Sequence, residues 1–275
     1  MSETSALPLR RVAVIGAGLM GGGIAAVLVR AGFAVDVYDT SREALERARA
    51  RAAKHAAERA EALTTHVDLA AAVGRADLVV EAVPEVLDLK RELFARVDAA
   101  APAGAWLATN TSELSVTAIA AATSRPERVV GMHWFNPPER MRLVELVRGV
   151  RSSPEALAAV ASVAEACGKT VVTVQDRQGF VTTRVVAAVL LEGARHLEEG
   201  VASRDDIDTA VKLGLNHPMG PLELADYIGL DTVLLIADSL AEAYGDRFRA
   251  PQTLRKLVEA GRLGRKAGGG YYDEG

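Results

Sequence analysis

Apolar residues are arranged in two different ways along this chain. In the first half, short unbroken runs of Val, Ile and Leu alternate with stretches in which apolar residues recur every three or four positions. RRVAVIG (10–16) is continuous and ends in glycine, the pattern of a strand buried on both faces. Leu19 to Ala31 reads as a helix stopped by Gly32, and AVDVYD (34–39) as the next strand. Ser41 supplies an N-cap for a long Ala/Arg/Glu-rich helix running to about Leu63. ADLVVEAVP (76–84), AWLATNTS (105–112) and RVVGMHWF (128–135) follow as strands, with helices near 88–100 and 114–122 between them. LVELVRG (143–149) and TVVTVQD (170–176) add two strands around a helix near 154–167. Such alternation predicts a parallel sheet with helices on both faces.

Past about Gln175 the runs stop and only helical spacing remains. Phe180–Glu199, Asp205–Leu213, Pro221–Tyr227, Asp231–Tyr244 and Gln252–Ala260 read as helices, and GYYDE near the end is the one strand-like stretch left. A domain boundary is therefore expected near 175–180, with DRQG as the hinge, giving domains 1–177 and 178–275.

Composition narrows the function classes. The chain has 275 residues, enough for two cores, with 49% hydrophobic and 25% charged residues. An aromatic share of 4% and a net charge of −4 argue against a nucleic-acid partner, and no segment has the length of a membrane span. Cys167 is the single cysteine, so neither a disulfide framework nor a cysteine-rich metal site is expected. The opening MSETSALPLRR lacks a signal-peptide apolar core, and the expected setting is the cytoplasm.

Gly16-Ala17-Gly18-Leu19-Met20-Gly21 matches G-x-G-x-x-G between a strand and a helix. In that context the first glycine allows a tight turn, the second lets a pyrophosphate approach the backbone, and the third lets the helix pack on the strand. Asp39 ends the second strand, where a carboxylate accepts hydrogen bonds from an adenosine ribose and repels a 2′-phosphate. The expected cofactor is NAD rather than NADP. The fold class is α/β: a Rossmann-type doubly wound sheet followed by an all-α C-terminal domain.

GMHWFNPP (131–138) poses the central chemical question. His133, flanked by Met132, Trp134 and Phe135, reads by itself as a packed core histidine, with a proton-transfer group as the alternative. Glu145 in LVELV is either an outward position of an alternating strand or a partner carboxylate.

Several stretches together decide between these readings. VAVIGAGLMGGGIA, ADLVVEAVPEVLDLKRELF, ATNTSELS, GMHWFNPPERMRLVELVRG, GKTVVTVQDRQGFVTTR, HPMGPLELADYIGLDT and GRLGRKAGGGYY follow in order and cover nearly the whole chain. In this set and order the chain resembles the 3-hydroxyacyl-CoA dehydrogenase family, including its 3-hydroxybutyryl-CoA members. The resemblance implies reversible hydride transfer between NAD and carbon 3 of an acyl thioester, and a homodimer formed through the helical domain. It makes His133 the acid/base residue and Glu145 its partner carboxylate. Ser112 matches the serine that hydrogen-bonds the substrate 3-oxygen, with the alternative that Ser112 or Ser115 caps the helix at 114–122. Asn110 and Asn136 match residues near the nicotinamide. Glu85 and Lys90 match a pair contacting the nicotinamide ribose region, against the ordinary alternative of a helix-start carboxylate and an exposed lysine. Lys266 matches a cofactor-side lysine.

Two departures from the family pattern bear on the substrate. Where the family has asparagine in GF-x-x-N-R, a residue that binds the thioester region, this chain has Thr183, which keeps a hydroxyl donor and acceptor but loses the amide's reach. The span between Asp39 and ADLVVEAVP is also short for the helical hairpin that relatives place over CoA. Arg42, Arg47, Arg49, Arg51, Lys54 and Arg59 in that span offer phosphate contacts, or pair with Glu43, Glu46, Glu58 and Glu61 along one helix. The expected substrate is an acyl thioester on CoA or on an acyl carrier protein. A small free hydroxy acid is the enzymatic alternative, and a non-enzymatic NAD-binding protein the remaining one.

Overall fold

A computed structural model describes residues 9–273, which divide into two compact units between Arg177 and Gln178. In the first unit, eight strands form one sheet: β1 (Arg11–Ile15), β2 (Ala34–Tyr38), β3 (Leu63–His66), β4 (Leu78–Glu81), β5 (Trp106–Thr109), β6 (Val129–Trp134), β7 (Leu143–Arg148) and β8 (Thr170–Gln175). Their order across the sheet is β3-β2-β1-β4-β5-β6-β7-β8. Crossing from β1 to β4 reverses the direction of winding, and ligands of such sheets bind at the carboxyl ends beside that point.

The first six strands run parallel, but β7 runs antiparallel to β6 and β8 runs parallel to β7. The parallel run expected from strand–helix alternation thus ends at one junction. Only residues 135–142 join β6 to β7, and a parallel crossover needs a dozen or more. β8 then returns through the helix α6 defined below.

The helices of this unit are α1 (Leu19–Arg30), α2 (Arg42–His55), α3 (Leu69–Val73), α4 (Leu87–Ala100), α5 (Val116–Ala120) and α6 (Pro154–Ala166). Side-chain caps begin four of them. Ser41 accepts from Ala44 N, Asp68 from Ala71 N, Ser115 from Ala118 N and Ser153 from Ala156 N. The helix expected over 41–63 stops early. It ends at His55, a 3-10 segment follows over Ala57–Ala62, and LTTH then forms β3 against β2. Ala/Glu/Arg composition favours continued helix there, but Arg59 takes φ −135°, and Leu63 is buried in the sheet's core.

The second unit contains α7 (Thr182–Glu198), α8 (Arg204–Gly214), α9 (Pro221–Ile228), α10 (Leu230–Tyr244) and α11 (Gln252–Glu259). They close on a core that includes Leu190, Leu191, Leu222, Leu230, Leu240 and Leu254. Of GYYDE, residues 270–273 form no strand, and Glu274 lies outside the described residues. Isolated bridges join Gly264 to Gly269 and Gly269 to Asp273, and the segment is pinned by Asp226, whose carboxylate accepts from Tyr271 N (2.9 Å) and Tyr272 N (2.8 Å). A second buried carboxylate, Asp208, accepts from Leu222 N and Glu223 N, both at 2.9 Å, and from the Tyr272 hydroxyl. It therefore caps α9 from a different helix. Gly220 is required for this, since a Cβ there would lie 2.2 Å from the Asp208 carboxyl carbon.

Among the described residues, no helix is long and apolar enough to cross a membrane, and no group of three or more His, Cys, Asp or Glu is placed to hold a metal ion.

Candidate active site

The glycine turn sits at the carboxyl end of β1. Gly16 adopts φ +97°, and a Cβ on it would stand 2.7 Å from the Ala82 carbonyl oxygen. A Cβ on Gly21 would stand 1.8 Å from the Gly16 carbonyl oxygen, so α1 packs directly on its own turn. At Gly18 a Cβ would meet nothing within 4 Å. Gly18 is the N-cap of α1 and no side chain caps that end. Open space therefore faces a helix end that carries partial positive charge, the requirement for a pyrophosphate.

Asp39 lies beside this turn. Its Oδ2 accepts from Ala17 N at 2.7 Å and its Oδ1 from Ser41 N at 2.8 Å, which fixes the carboxylate where β2 ends. A cleft of about 630 Å³ opens here, lined by Gly16, Gly18, Leu19, Met20 and Asp39 together with Arg96 of α4. The residues present fit a dinucleotide: a backbone cradle without side-chain obstruction, and a carboxylate fixed for ribose hydroxyls.

His133 and Glu145 meet across the antiparallel junction. They are directly opposed in the β6–β7 register, and His133 Nδ1 lies 2.8 Å from Glu145 Oε2. Glu145 is 0% exposed and His133 6%. A carboxylate on Nδ1 holds the neutral-ring proton there and leaves Nε2 as the basic nitrogen. The Phe135 ring packs 4.4 Å from the imidazole, tilted by 43°. The histidine is thus both buried and paired, so the two readings of GMHWFNPP are not exclusive.

The loop after β5 carries the other reacting candidates. Asn110 Oδ1 accepts from Trp134 N at 2.8 Å, tying this loop to the strand that holds His133. Ser112 donates to Glu85 Oε1 from its backbone N at 2.7 Å and from its hydroxyl at 3.2 Å. It does not cap α5; Ser115 does. Asn136 is exposed at the start of the 135–142 connection and is joined to Pro137 by a cis peptide bond.

Lys90 is not the exposed helix lysine of the ordinary alternative. It is 0% exposed, with Nζ 2.6 Å from Glu81 Oε1 and 3.3 Å from Glu85 Oε2. Glu81 was not among the sequence candidates. A carboxylate inside the apolar run LVVEAV is nevertheless the same signal that marks Glu145 inside LVELV. Thr109 and Thr111 also escaped notice, and each donates its hydroxyl to one of these carboxylates.

Arg51 is corrected from a phosphate candidate to a structural tie. Both its Nε and Nη2 donate to Glu139, and its Nη1 donates to the Leu19 carbonyl. Burial pushes the Glu139 carboxyl up, but the Arg51 hydrogen bond and charge outweigh it and hold the group below its ordinary value. Arg47 pairs with Glu43, and Arg49 donates to the Thr65 hydroxyl.

Thr183 and Lys266 belong to the helical unit. Thr183 is buried in the first turn of α7, just after Gly179 (φ +73°) and Phe180 (φ +45°), two successive left-handed residues. Lys266 Nζ bonds both Asp231 oxygens, at 2.6 and 2.7 Å.

Residues 11–177 match the model of the 3-hydroxyacyl-CoA dehydrogenase NAD binding domain, and residues 179–274 that of the 3-hydroxyacyl-CoA dehydrogenase C-terminal domain. The chain belongs to the 3-hydroxyacyl-CoA dehydrogenase family. It is 43% identical over 281 residues to a probable 3-hydroxybutyryl-CoA dehydrogenase of Bacillus subtilis, covering 97% of this chain and 98% of that one. The crystal structure of Mycobacterium tuberculosis FadB2 superposes with a TM-score of 0.92 at 40% identity, covering 97% and 99% of the two chains. That of (S)-3-hydroxybutyryl-CoA dehydrogenase PaaH1 from Ralstonia eutropha gives 0.93 at 37% identity, covering 97% and 99%. The Rossmann-type sheet followed by a helical domain is therefore the family's architecture, and the first unit is its NAD-binding domain.

Proposed function

We propose that this family member interconverts an L-3-hydroxyacyl-CoA and the 3-oxoacyl-CoA, with His133 and Glu145 as the acid–base pair. The observation that carries the reading is the buried 2.8 Å contact between His133 Nδ1 and Glu145, set by directly opposed strand positions. Bound NAD supplies the hydride acceptor for oxidation and its reduced form the donor for the reverse. Gly16, Gly18 and Gly21 with the α1 N-terminus hold the pyrophosphate, Leu19 and Met20 line its cleft, and Asp39 takes the adenosine ribose. Glu85, with Lys90 beneath it, and Asn110, Asn136 and Lys266 are assigned to the nicotinamide half.

His133 does the proton work. In oxidation its Nε2 takes the proton of the substrate 3-hydroxyl, and Glu145 balances the imidazolium that results. In reduction the same nitrogen returns the proton to the 3-oxygen. Ser112 orients that oxygen by a hydrogen bond from its hydroxyl. Thr183 is assigned to the thioester region in place of the family amide.

Turnover of acetoacetyl-CoA with NADH tests the reading. His133→Ala should cut kcat by roughly 10²- to 10⁴-fold while NADH still binds. An intact protein with no detectable acetoacetyl-CoA turnover would sink the CoA reading. Thr183 in place of asparagine favours a second candidate, a hydroxyacyl group on an acyl carrier protein or a small free hydroxy acid. Matched CoA, carrier and free-acid forms of one 3-hydroxy group separate these. Exposed Leu213, Leu235 and Val185 support a homodimer through the helical unit. A cytoplasmic role in fatty acid metabolism accords with the thioester substrate.

A further inference from the structure

Beneath the serine loop lies a line of charge that the acid–base pair does not use. Glu81 ends β4 and is 1% exposed, yet both its oxygens are hydrogen-bonded. Its Oε1 accepts from Val83 N at 2.7 Å and from Lys90 Nζ at 2.6 Å, and its Oε2 from the Thr109 hydroxyl at 2.6 Å. One carboxylate thereby joins β4, β5 and α4. Lys90 Nζ, drawn close to Glu81, stands 3.3 Å from the Val83 carbonyl and 3.3 Å from Glu85 Oε2. The other Glu85 oxygen, Oε1, accepts from the Thr111 hydroxyl (2.5 Å), Ser112 N (2.7 Å) and the Ser112 hydroxyl (3.2 Å). Thr111 Oγ1 in turn accepts from Leu114 N at 2.8 Å.

The distances rank these contacts. Two carboxylates compete for one ammonium, and Glu81 has the closer hold. Glu85 therefore shares the positive charge only at long range, and its Oε1 stays a strong acceptor for the loop. On the loop side, Glu85 Oε1 holds the Ser112 backbone more closely, at 2.7 Å, than the Ser112 hydroxyl, at 3.2 Å, so its grip fixes the loop first.

We propose that Glu81 is a positioning residue for Ser112, acting through Lys90 and Glu85 by keeping the ammonium away from Glu85. This rests on the assignment of Ser112 to the substrate oxygen. If Glu81 loses its charge, Lys90 turns to Glu85, Glu85 becomes a poorer acceptor, and the 111–114 loop loosens. Glu81 touches neither substrate nor cofactor in this scheme.

The experiment uses the full chain as wild type, Glu81→Gln, Glu85→Gln and the double variant. Two readouts are followed: hydrogen exchange at the Ser112 amide, and kcat and KM with acetoacetyl-CoA and NADH. In Glu81→Gln the Ser112 amide should exchange about tenfold faster, and kcat should fall about tenfold with KM for NADH little changed, the size expected of coupling through a neighbour. In the Glu85→Gln background the Glu81 substitution should add nothing to either readout. Unchanged Ser112 exchange, or effects that simply multiply in the double variant, would overturn the proposal. Wild-type protein without acetoacetyl-CoA turnover would count against the substrate reading alone, because the exchange measurement still decides the role of Glu81. If Glu81→Gln does not fold, Glu81→Asp keeps the charge but withdraws it from Lys90. Faster Ser112 exchange there supports the proposal, and unchanged exchange overturns it.

Discussion

Both units bury carboxylates, but for different ends. In the helical unit Asp208 and Asp226 accept chiefly from backbone N–H groups: Asp208 from the first turn of α9, Asp226 from the chain at Tyr271 and Tyr272. In the α/β unit Glu145 faces a histidine ring, and Glu81 faces a lysine and a threonine besides one backbone N–H. A carboxylate spent on backbone chiefly fixes a fold. One spent on a titratable side chain sets where charge or a proton resides. The difference separates structural from chemical burial without reference to any substrate.

Substitution on each side can break that distinction. The largest effect belongs to Glu145→Gln. It keeps the shape of the side chain but removes the charge that stabilises a protonated His133. Turnover with acetoacetyl-CoA should drop by about 10²- to 10⁴-fold, with the thermal unfolding midpoint little moved. Unaltered turnover would place Glu145 with the structural carboxylates. Next comes Asp208→Ala, which strands two buried N–H groups at the start of α9 and the Tyr272 hydroxyl. Losing hydrogen bonds to a charged group costs about 1.5–3 kcal/mol, so the unfolding midpoint should fall while kcat per folded molecule holds. A kcat loss matching that of Glu145→Gln would erase the contrast.

The smallest effect is a pH dependence. Burial pushes the Asp226 carboxyl above its ordinary value, against the lowering by the Tyr272 and Tyr271 N–H groups. A raised carboxyl binds a proton in the folded state before it does in the unfolded one. Its stabilising contribution is complete below the unfolded value near 3.8 and is lost as pH rises through the folded value. The stability of wild type relative to Asp226→Asn should therefore grow as pH falls from 7 through the carboxylate range. Denaturant titrations at several pH values would show it, and a gap that narrows on acidification would refute the assignment.

The elements most readable from sequence were those whose local pattern and tertiary role agree. β1, the glycine turn and α1 are examples, because an unbroken apolar strand, a left-handed glycine and a helix built of small residues each require the next. The stretch from Ala56 to Val73 was not readable. Residues 57–62 favour helix one by one, and the short LTTH that follows becomes a strand by pairing with β2, a contact outside any local window. The reversal at β7 was readable in principle from the brevity of 135–142, but strand–helix alternation elsewhere outweighed it. The His133–Glu145 pair came from the family resemblance, since twelve residues of separation carry no contact information until the strands are known to be antiparallel. Lys90 could have been caught sooner. Leu87, Lys90, Leu93, Phe94 and Val97 fall on one helical stripe, and a lysine on an apolar stripe needs a buried partner.

The antiparallel turn between β6 and β7 has a further consequence. Paired positions on such a ladder change in whole steps, and a slip of one residue sends a side chain to the opposite face of the sheet. Which side chains face each other is therefore all-or-none. Loops around the ladder can lengthen or shorten without changing that pairing. Any retuning of this protein toward a new acyl group then falls on other residues, while the proposed His133–Glu145 pair passes through such changes unaltered or is lost outright.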